Sequence, residues 1–133
     1  MAAKVTGNRG ATNYGGALGV GQRSTPDGSI GWVCVSGQAG DVAYLRAVDV
    51  TSLDKVQQGW FFQANGTPSP SATISFTCAE GGYATNPDPA VQANIPWANT
   101  LTLTTTTITQ TPVAFSAIKV TLVNPGEVYC VAR

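Results

Sequence analysis

Few residues in this sequence are able to do acid–base or nucleophilic chemistry. It contains no histidine, which removes the commonest general base, the Ser-His and Cys-His nucleophile pairs and most zinc sites. Its only glutamates are Glu80 and Glu127, and its aspartates lie mostly at turns or strand edges. We therefore predict no catalytic residue, no cofactor-binding residue and no metal ligand. A hydrolase that uses two acidic residues across a cleft is kept as a minor alternative.

The thiols of Cys34, Cys78 and Cys130 are the remaining reactive groups. They lie far apart in the sequence, each in an apolar, strand-like run. Because an odd number of cysteines cannot form a closed set of disulfides, we expect three buried free thiols that pack as small hydrophobic side chains. One disulfide with a spare thiol is the other interpretation.

The composition narrows the class of protein. The chain has 133 residues, enough for one domain, with 11% charged residues and a formal net charge of zero. Typical domains carry about 25% charged residues, so we expect partners to cover much of this surface. The seven basic residues are scattered, which argues against binding nucleic acid. No apolar run approaches the roughly 20 residues of a membrane span, and the N-terminus lacks a secretory pattern. We therefore predict a protein made in a cytosol.

Alternating apolar and polar residues in short runs predict the elements that position these groups. Such runs, separated by turn signals, are typical of half-buried β-strands. In "SIGWVCVSG" we assign Trp32 to the core. In "ATISFTCAE" we expect Ile74, Phe76 and Cys78 to face inward and the intervening Ser and Thr residues to face outward. The spacing suits an antiparallel sandwich or barrel, and we predict an all-β, jelly-roll-like sandwich of about seven or eight strands.

The remaining segments predict individual turns, a loop, a helical turn and a further strand. "GQAGD" fits a hairpin-like connection between two strands, and "NPGE" fits a type II turn with Pro125 and Gly126 at its centre. The segment 52–58 suits one helical turn. The segment 81–97 is predicted to be a long loop, and the β-branched run 100–109 a strand.

The first 29 residues read as an extended, glycine-rich arm, followed by a sandwich domain over residues 30–133. Ordering such an arm costs about 1 to 2 kcal/mol per residue in backbone entropy, so it needs contacts with its own domain or with neighbouring subunits. The low charge of the chain favours neighbouring subunits. Arg9, Tyr14 and Arg23 are the candidate contact residues, and simple surface exposure is their other interpretation.

Aromatic residues in the body of the chain are further candidates for a partner interface. Trp60, Phe61 and Phe62 are consecutive, so in a strand they cannot all face one core. The strand is either buried on both faces or presents an interface anchor or a carbohydrate platform. Trp97 is an anchor or is buried by its own loop, and Tyr83 is a further candidate.

The arm "AAKVTGNRGATNYGG", the compact all-β body and the ending "FSAIKVTLVNPGEVYCVAR" together resemble small head proteins of tailed bacteriophages, the capsid cement or decoration proteins. The resemblance implies a jelly-roll-like sandwich that binds the outer capsid lattice and staples adjacent shell subunits. The implied partners are the major capsid protein and copies of this chain, as a homo-oligomer on the virion surface, assembled in the host cytoplasm.

Two other functions stay open from the sequence. A tail or fibre component belongs to the same structural class. A carbohydrate-binding β-sandwich using Trp60, Trp97 or Tyr83 belongs to a different class, and a solvent-exposed, coplanar aromatic strip would favour it.

Overall fold

The chain folds into two antiparallel sheets packed face to face. The computed structural model describes residues 1–7, 10–14, 31–49, 59–111 and 113–132. Within these ranges the chain forms ten strands and two short α-helices. The predicted all-β sandwich is confirmed. The body after residue 29 contains eight of the strands, as predicted, and β1 and β2 lie in the segment predicted as an arm.

The larger sheet contains six strands and the smaller sheet four. The six are β1 (Lys4–Gly7), β2 (Gly10–Tyr14), β3 (Gly31–Gly37), β5 (Trp60–Gly66), β8 (Thr109–Thr111) and β10 (Gly126–Ala132), in the order β2-β1-β3-β10-β5-β8. The four are β4 (Val42–Arg46), β6 (Ala72–Thr77), β7 (Ala98–Leu103) and β9 (Ala117–Leu122), in the order β4-β9-β6-β7. The helices are α1 (Gly81–Ala84) and α2 (Pro89–Gln92), and Ala47–Asp49 is a 3-10 turn.

The core lies between the inner faces of the two sheets. Because side chains alternate between the faces of a strand, ladder partners form apolar rows, such as Val5, Val35 and Val128 in the larger sheet. All three are fully buried. Phe62 and Phe76 meet across the sheets edge to face, with ring centroids 6.1 Å apart. This packing holds the two sheets together.

The first seven residues belong to the sandwich, contrary to the predicted arm. β1 lies between β2 and β3, and Ala3 and Val5 are fully buried. The backbone N–H of Ala3 also donates to the carbonyl of Val42 at 3.0 Å, which joins the N-terminus to the smaller sheet. Ladder hydrogen bonds and core burial on its own domain therefore order this segment. The division at residue 29 stays a prediction for residues outside the described ranges.

Several local predictions fail where the chain changes sheets. "GQAGD" is not a hairpin, because β3 belongs to the larger sheet and β4 to the smaller one. The strand predicted over 100–109 ends at Leu103, and the chain returns to the larger sheet as β8. Gly126 has a nearly extended φ of 159° and begins β10, whereas a type II turn needs φ near +80° there. The predicted helical turn at 52–58 lies outside the described residues.

The predicted loop over residues 81–97 contains both helices and covers the outer face of the smaller sheet. Ala84 and Ile95 form a second small core with Ala117 of β9. We call residues 79–97 the cap. Ser75 and Thr77 alternate with Ile74 and Phe76 and so face away from the main core, as predicted. Under the cap, however, they are only 9% and 4% exposed.

Candidate functional site

The outer face of the larger sheet carries an exposed apolar surface. Trp32, Val131 and Phe61 are consecutive ladder partners across β3, β10 and β5. Tyr129 lies two residues before Val131, on the same face of β10. These residues point outward because their neighbours in sequence, such as Val33 and Phe62, are buried in the core. We call Trp32, Phe61, Tyr129 and Val131 the aromatic face.

Two members of the aromatic face are well exposed. Trp32 is 43% and Tyr129 38% exposed, while Phe61 and Val131 are half-buried. The assignment of Trp32 to the core is therefore wrong. In "SIGWVCVSG" both faces of the strand are apolar. The face with Val33 and Val35 packs in the core, where the ladder partners of these two residues in β1 and β10 continue the same rows. The sequence signals for this surface were the apolar run with two apolar alternations and, for Phe61, the consecutive aromatic residues 60–62.

A group of titratable residues borders the aromatic face. The thiol of Cys34 donates to Oε2 of Glu127, with the two atoms 3.6 Å apart. Burial and then the nearby Glu127 carboxylate raise the pKa of Cys34 to about 11. A hydrogen bond with the same carboxylate raises the pKa of Tyr129. Since the thiolate is the reactive form, Cys34 remains a weak nucleophile near neutral pH.

All three cysteines are free thiols, as predicted, and the disulfide interpretation is wrong. Their burial differs from the prediction. Cys130 is buried, and burial raises its pKa far above the usual value. Cys34 is half-buried on the outer face, and Cys78 is exposed. Cys78 lies one residue past the end of β6, so alternation within the strand no longer fixes its direction.

Trp60 and Phe61 lie on opposite sides of the larger sheet. Trp60 packs on Phe115, with ring centroids 4.4 Å apart, and Phe115 in turn contacts Phe76. Trp60 is thus half-buried at the border of the core. The structure therefore separates Trp60 from Phe61, and Phe61 alone of the two belongs to the aromatic face.

Trp97 and Tyr83 lie in the cap, on the other sheet. The indole Nε1 of Trp97 donates to Oε1 of Gln92 at 2.9 Å. The Lys119 ammonium lies 5.4 Å from the Trp97 ring centroid, within the range of a cation–π interaction. Trp97 is half-buried by these contacts, whereas Tyr83 is 45% exposed. The predicted interface residues therefore do not form one surface.

Of the three residues predicted on the arm, the structure describes one. Tyr14 ends β2 and is the ladder partner of Lys4. Arg9 and Arg23 lie outside the described residues.

Glu80 positions Tyr83 by capping the first helix. Its two carboxylate oxygens accept hydrogen bonds from the backbone N–H groups of Gly82 and Tyr83, at 2.9 and 2.7 Å. These bonds hold the pKa of Glu80 below its ordinary value of 4.5. Such a cap satisfies N–H groups that have no partner within the helix.

The capping bonds predict how the cap responds to acid. The pKa of Glu80 is lower in the folded protein than its ordinary value. The stabilisation from the charged cap is therefore fully present at pH values above the ordinary pKa, and it is lost as the pH falls through the folded-state pKa. We expect the backbone amide NMR shifts of Gly82 and Tyr83 to change with a midpoint below 4.5. Glu80→Gln should remove this step. A midpoint at or above the ordinary value, or a step that persists in the variant, would contradict the prediction.

The described carboxylates mostly have local structural partners. Asp41 accepts from the backbone N–H of Gln38 in the turn before β4, and Asp88 caps α2 by accepting from that of Ala90. A cleft of about 110 Å³ lies at the end of β6, lined by Phe76, Thr77, Cys78, Pro96, Ala98, Asn99, Val113 and Ala114. No acidic residue lines this cleft. Among the described residues, no group of three or more Cys, Asp and Glu side chains is placed to hold a metal ion.

Fold and surface together define a two-sheet antiparallel β-sandwich that carries the aromatic face on the outer side of its larger sheet. Comparisons with protein-family models, with curated proteins and with solved structures found no match to this chain. In the part of the chain that the structure describes, no helix has the length and apolar character needed to cross a membrane.

Proposed function

We propose that this chain is a non-enzymatic structural protein of a virion, in which the aromatic face binds neighbouring protein subunits. The most specific form of the proposal is a capsid cement or decoration protein that staples major capsid subunits. The observation that supports it is the aromatic face, where Trp32 and Tyr129 are 43% and 38% exposed on a regular sheet. Trp and Tyr are the residue types most enriched at protein-binding hot spots.

The low charge of the chain supports the same proposal. Charged residues make up 11% of the sequence, and charged side chains are depleted at the centres of protein interfaces. A cement protein binds through many copies on a fixed lattice, so contacts that are individually weak add up to a large avidity. The aromatic face needs only modest affinity to serve this purpose.

The decisive experiment uses virions purified from cells that encode the chain. Mass spectrometry should find the chain in the particles, and gold-labelled antibodies should bind the head. Labelling of the tail or fibres would replace the capsid assignment by a tail role. Absence of the chain from the particles would overturn a virion role altogether.

We expect Trp32→Ala to weaken binding to particles stripped of this protein by at least about tenfold, because truncating a hot-spot aromatic costs about 2 kcal/mol or more. Co-sedimentation with the particles measures the affinity. Tyr83→Ala is the matched control, since Tyr83 is 45% exposed but lies in the cap. Loss of binding in the control and not in Trp32→Ala would move the interface to the cap.

A carbohydrate-binding module is the second candidate, and the same surface favours it. Aromatic rings on an open sheet suit stacking against sugar rings. Trp60, Trp97 and Tyr83, the residues first considered for this role, lie in three different environments, so Trp32, Phe61 and Tyr129 would carry the platform. A glycan array probed with the wild-type chain and with Trp32→Ala separates the candidates: Trp32-dependent glycan binding, without binding to particles, would establish the sugar module.

A further inference from the structure

The two edges of the smaller sheet differ in how they are covered. At the β4 edge, the backbone N–H of Val42 donates to the carbonyl of Met1 at 2.9 Å, and Ala3 bonds back to Val42. Arg46 adds a charged side chain to that edge. At the other edge, β7 has β6 as its ladder partner and ends the sheet order. In the part of the chain that the structure describes, β7 has no second ladder partner and so presents a free strand edge.

The free edge lacks the features that normally protect one. Natural proteins protect edge strands with charged side chains or proline, because an unprotected edge is a template for another strand. Residues 98–111 contain no Lys, Arg, Asp, Glu or Pro. This segment includes β7, the connection after it and β8, the edge strand of the larger sheet. Both sheets thus present an uncharged edge.

The geometry of β7 leaves part of the edge regular. The register with β6 shifts near Asn99, which has a positive φ of 52°. Leu101, Thr102 and Leu103 keep a regular register opposite Ile74, Thr73 and Ala72. Thr102 is exposed, whereas Leu103 is 3% exposed. Hydroxyl side chains therefore occupy the outer face and leucines the inner face.

We propose that β7 pairs antiparallel with β7 of a second copy of this chain, forming one continuous sheet across the two copies. In a two-fold symmetric antiparallel pair centred on Thr102, Thr102 of one copy faces Thr102 of the other, and Leu101 faces Leu103. A charge at residue 102 would therefore face its own like charge. β7 is uncharged, and its alternating Thr and Leu residues are self-complementary. Facing Thr residues hydrogen-bond across strands, and a highly charged partner would gain no electrostatic attraction here.

The small area of this contact predicts a low affinity between the two copies. Stable interfaces bury about 1,600 Å² in total, and one short strand edge buries less. We therefore expect weak, concentration-dependent dimers of the isolated chain, strengthened by avidity where copies are held side by side. The strengthening by avidity rests on the proposed role in a virion. The pairing itself can be measured on the isolated chain.

Analytical ultracentrifugation up to millimolar concentration tests the pairing. We expect the wild-type chain to show a monomer–dimer equilibrium, and Thr102→Lys and Thr102→Glu each to weaken it by about tenfold through like-charge repulsion. An equimolar mixture of the two variants should regain the dimer, because opposite charges then face each other. Gln38→Lys is the control, since it adds the same charge in the exposed turn after β3 and should leave the dimer unchanged.

Three results would overturn the pairing: a wild-type chain that stays monomeric, dimers that persist in both Thr102 variants, or a Gln38→Lys variant that is equally weakened. Thermal melting of each variant confirms that it remains folded. Should a Thr102 variant unfold, isotope-filtered NMR on mixed labelled and unlabelled wild-type chains decides the question by detecting β7–β7 contacts between copies. These measurements use the isolated chain, so their failure is distinct from absence of the chain in virions.

Discussion

Val5→Asp is expected to lower the free energy of unfolding by about 4 kcal/mol or more, enough to unfold many domains of this size. Val5 is fully buried in β1, in a row with Val35 and Val128. An aspartate there places a carboxylate in the apolar core without a partner, or forces β1 out of the sheet. β1 lies between β2 and β3, so its loss would also remove the ladder partner of β2.

Urea denaturation followed by circular dichroism measures the loss. Lys4→Ala is the matched control, because Lys4 precedes Val5 in the same strand but is exposed, and we expect a change within about 0.5 kcal/mol. Wild-type stability of the Val5→Asp variant would show that β1 is not part of the sandwich in solution. The N-terminal segment would then be an arm, as its composition predicts.

Gly126→Ala is expected to destabilise the protein by about 3 kcal/mol. A Cβ at Gly126 would overlap the carbonyl oxygen of Asn65 and approach the Cα of Gly66 to 2.6 Å. Both obstacles are backbone atoms, which cannot move aside as a side chain does. Gly126 pairs with Gly66 in the ladder between β10 and β5, so the two strands must separate locally to admit a methyl group.

Gly82→Ala is the control for this substitution. Gly82 is exposed in α1, where a Cβ would lie 3.3 Å from the flexible Glu80 carboxylate, and alanine favours helix over glycine by about 1 kcal/mol. Urea midpoints should fall strongly for Gly126→Ala and stay near wild type for Gly82→Ala. Equal midpoints for Gly126→Ala and wild type would mean that β10 and β5 do not approach so closely at this end.

Local patterns in the sequence were sufficient to predict most of the strands. "GWFFQAN" and "VYCVAR" form the interior strands β5 and β10, and Ile74 and Phe76 face the core as alternation predicts. Alternation is a local property, because successive side chains point to opposite faces whatever the strand pairs with. The odd number of cysteines favoured free thiols, but it left one disulfide with a spare thiol open, and the structure decided between the two.

The candidate site could not be predicted in the same way. In "SIGWVCVSG" both alternations are apolar, so the pattern could not show that Val33, and not Trp32 as predicted, faces the core. Ser75 and Thr77 read as exposed because no local pattern shows that residues 79–97 return to cover that face. A strand has two faces by its own geometry, but which face is covered depends on segments far away in sequence.

The sequence by itself determined that this protein is an all-β chain of low charge, with apolar runs suited to a sandwich. The tertiary structure decided that the N-terminal residues form part of the core, that Trp32 and Tyr129 share an exposed face, and that β7 lies at a sheet edge with no second ladder partner among the described strands. The physical reason is the range of the interactions. Strand formation follows from neighbouring residues, whereas sheet order and burial follow from ladder pairings such as Val5 with Val35 and Val35 with Val128, which join distant parts of the chain.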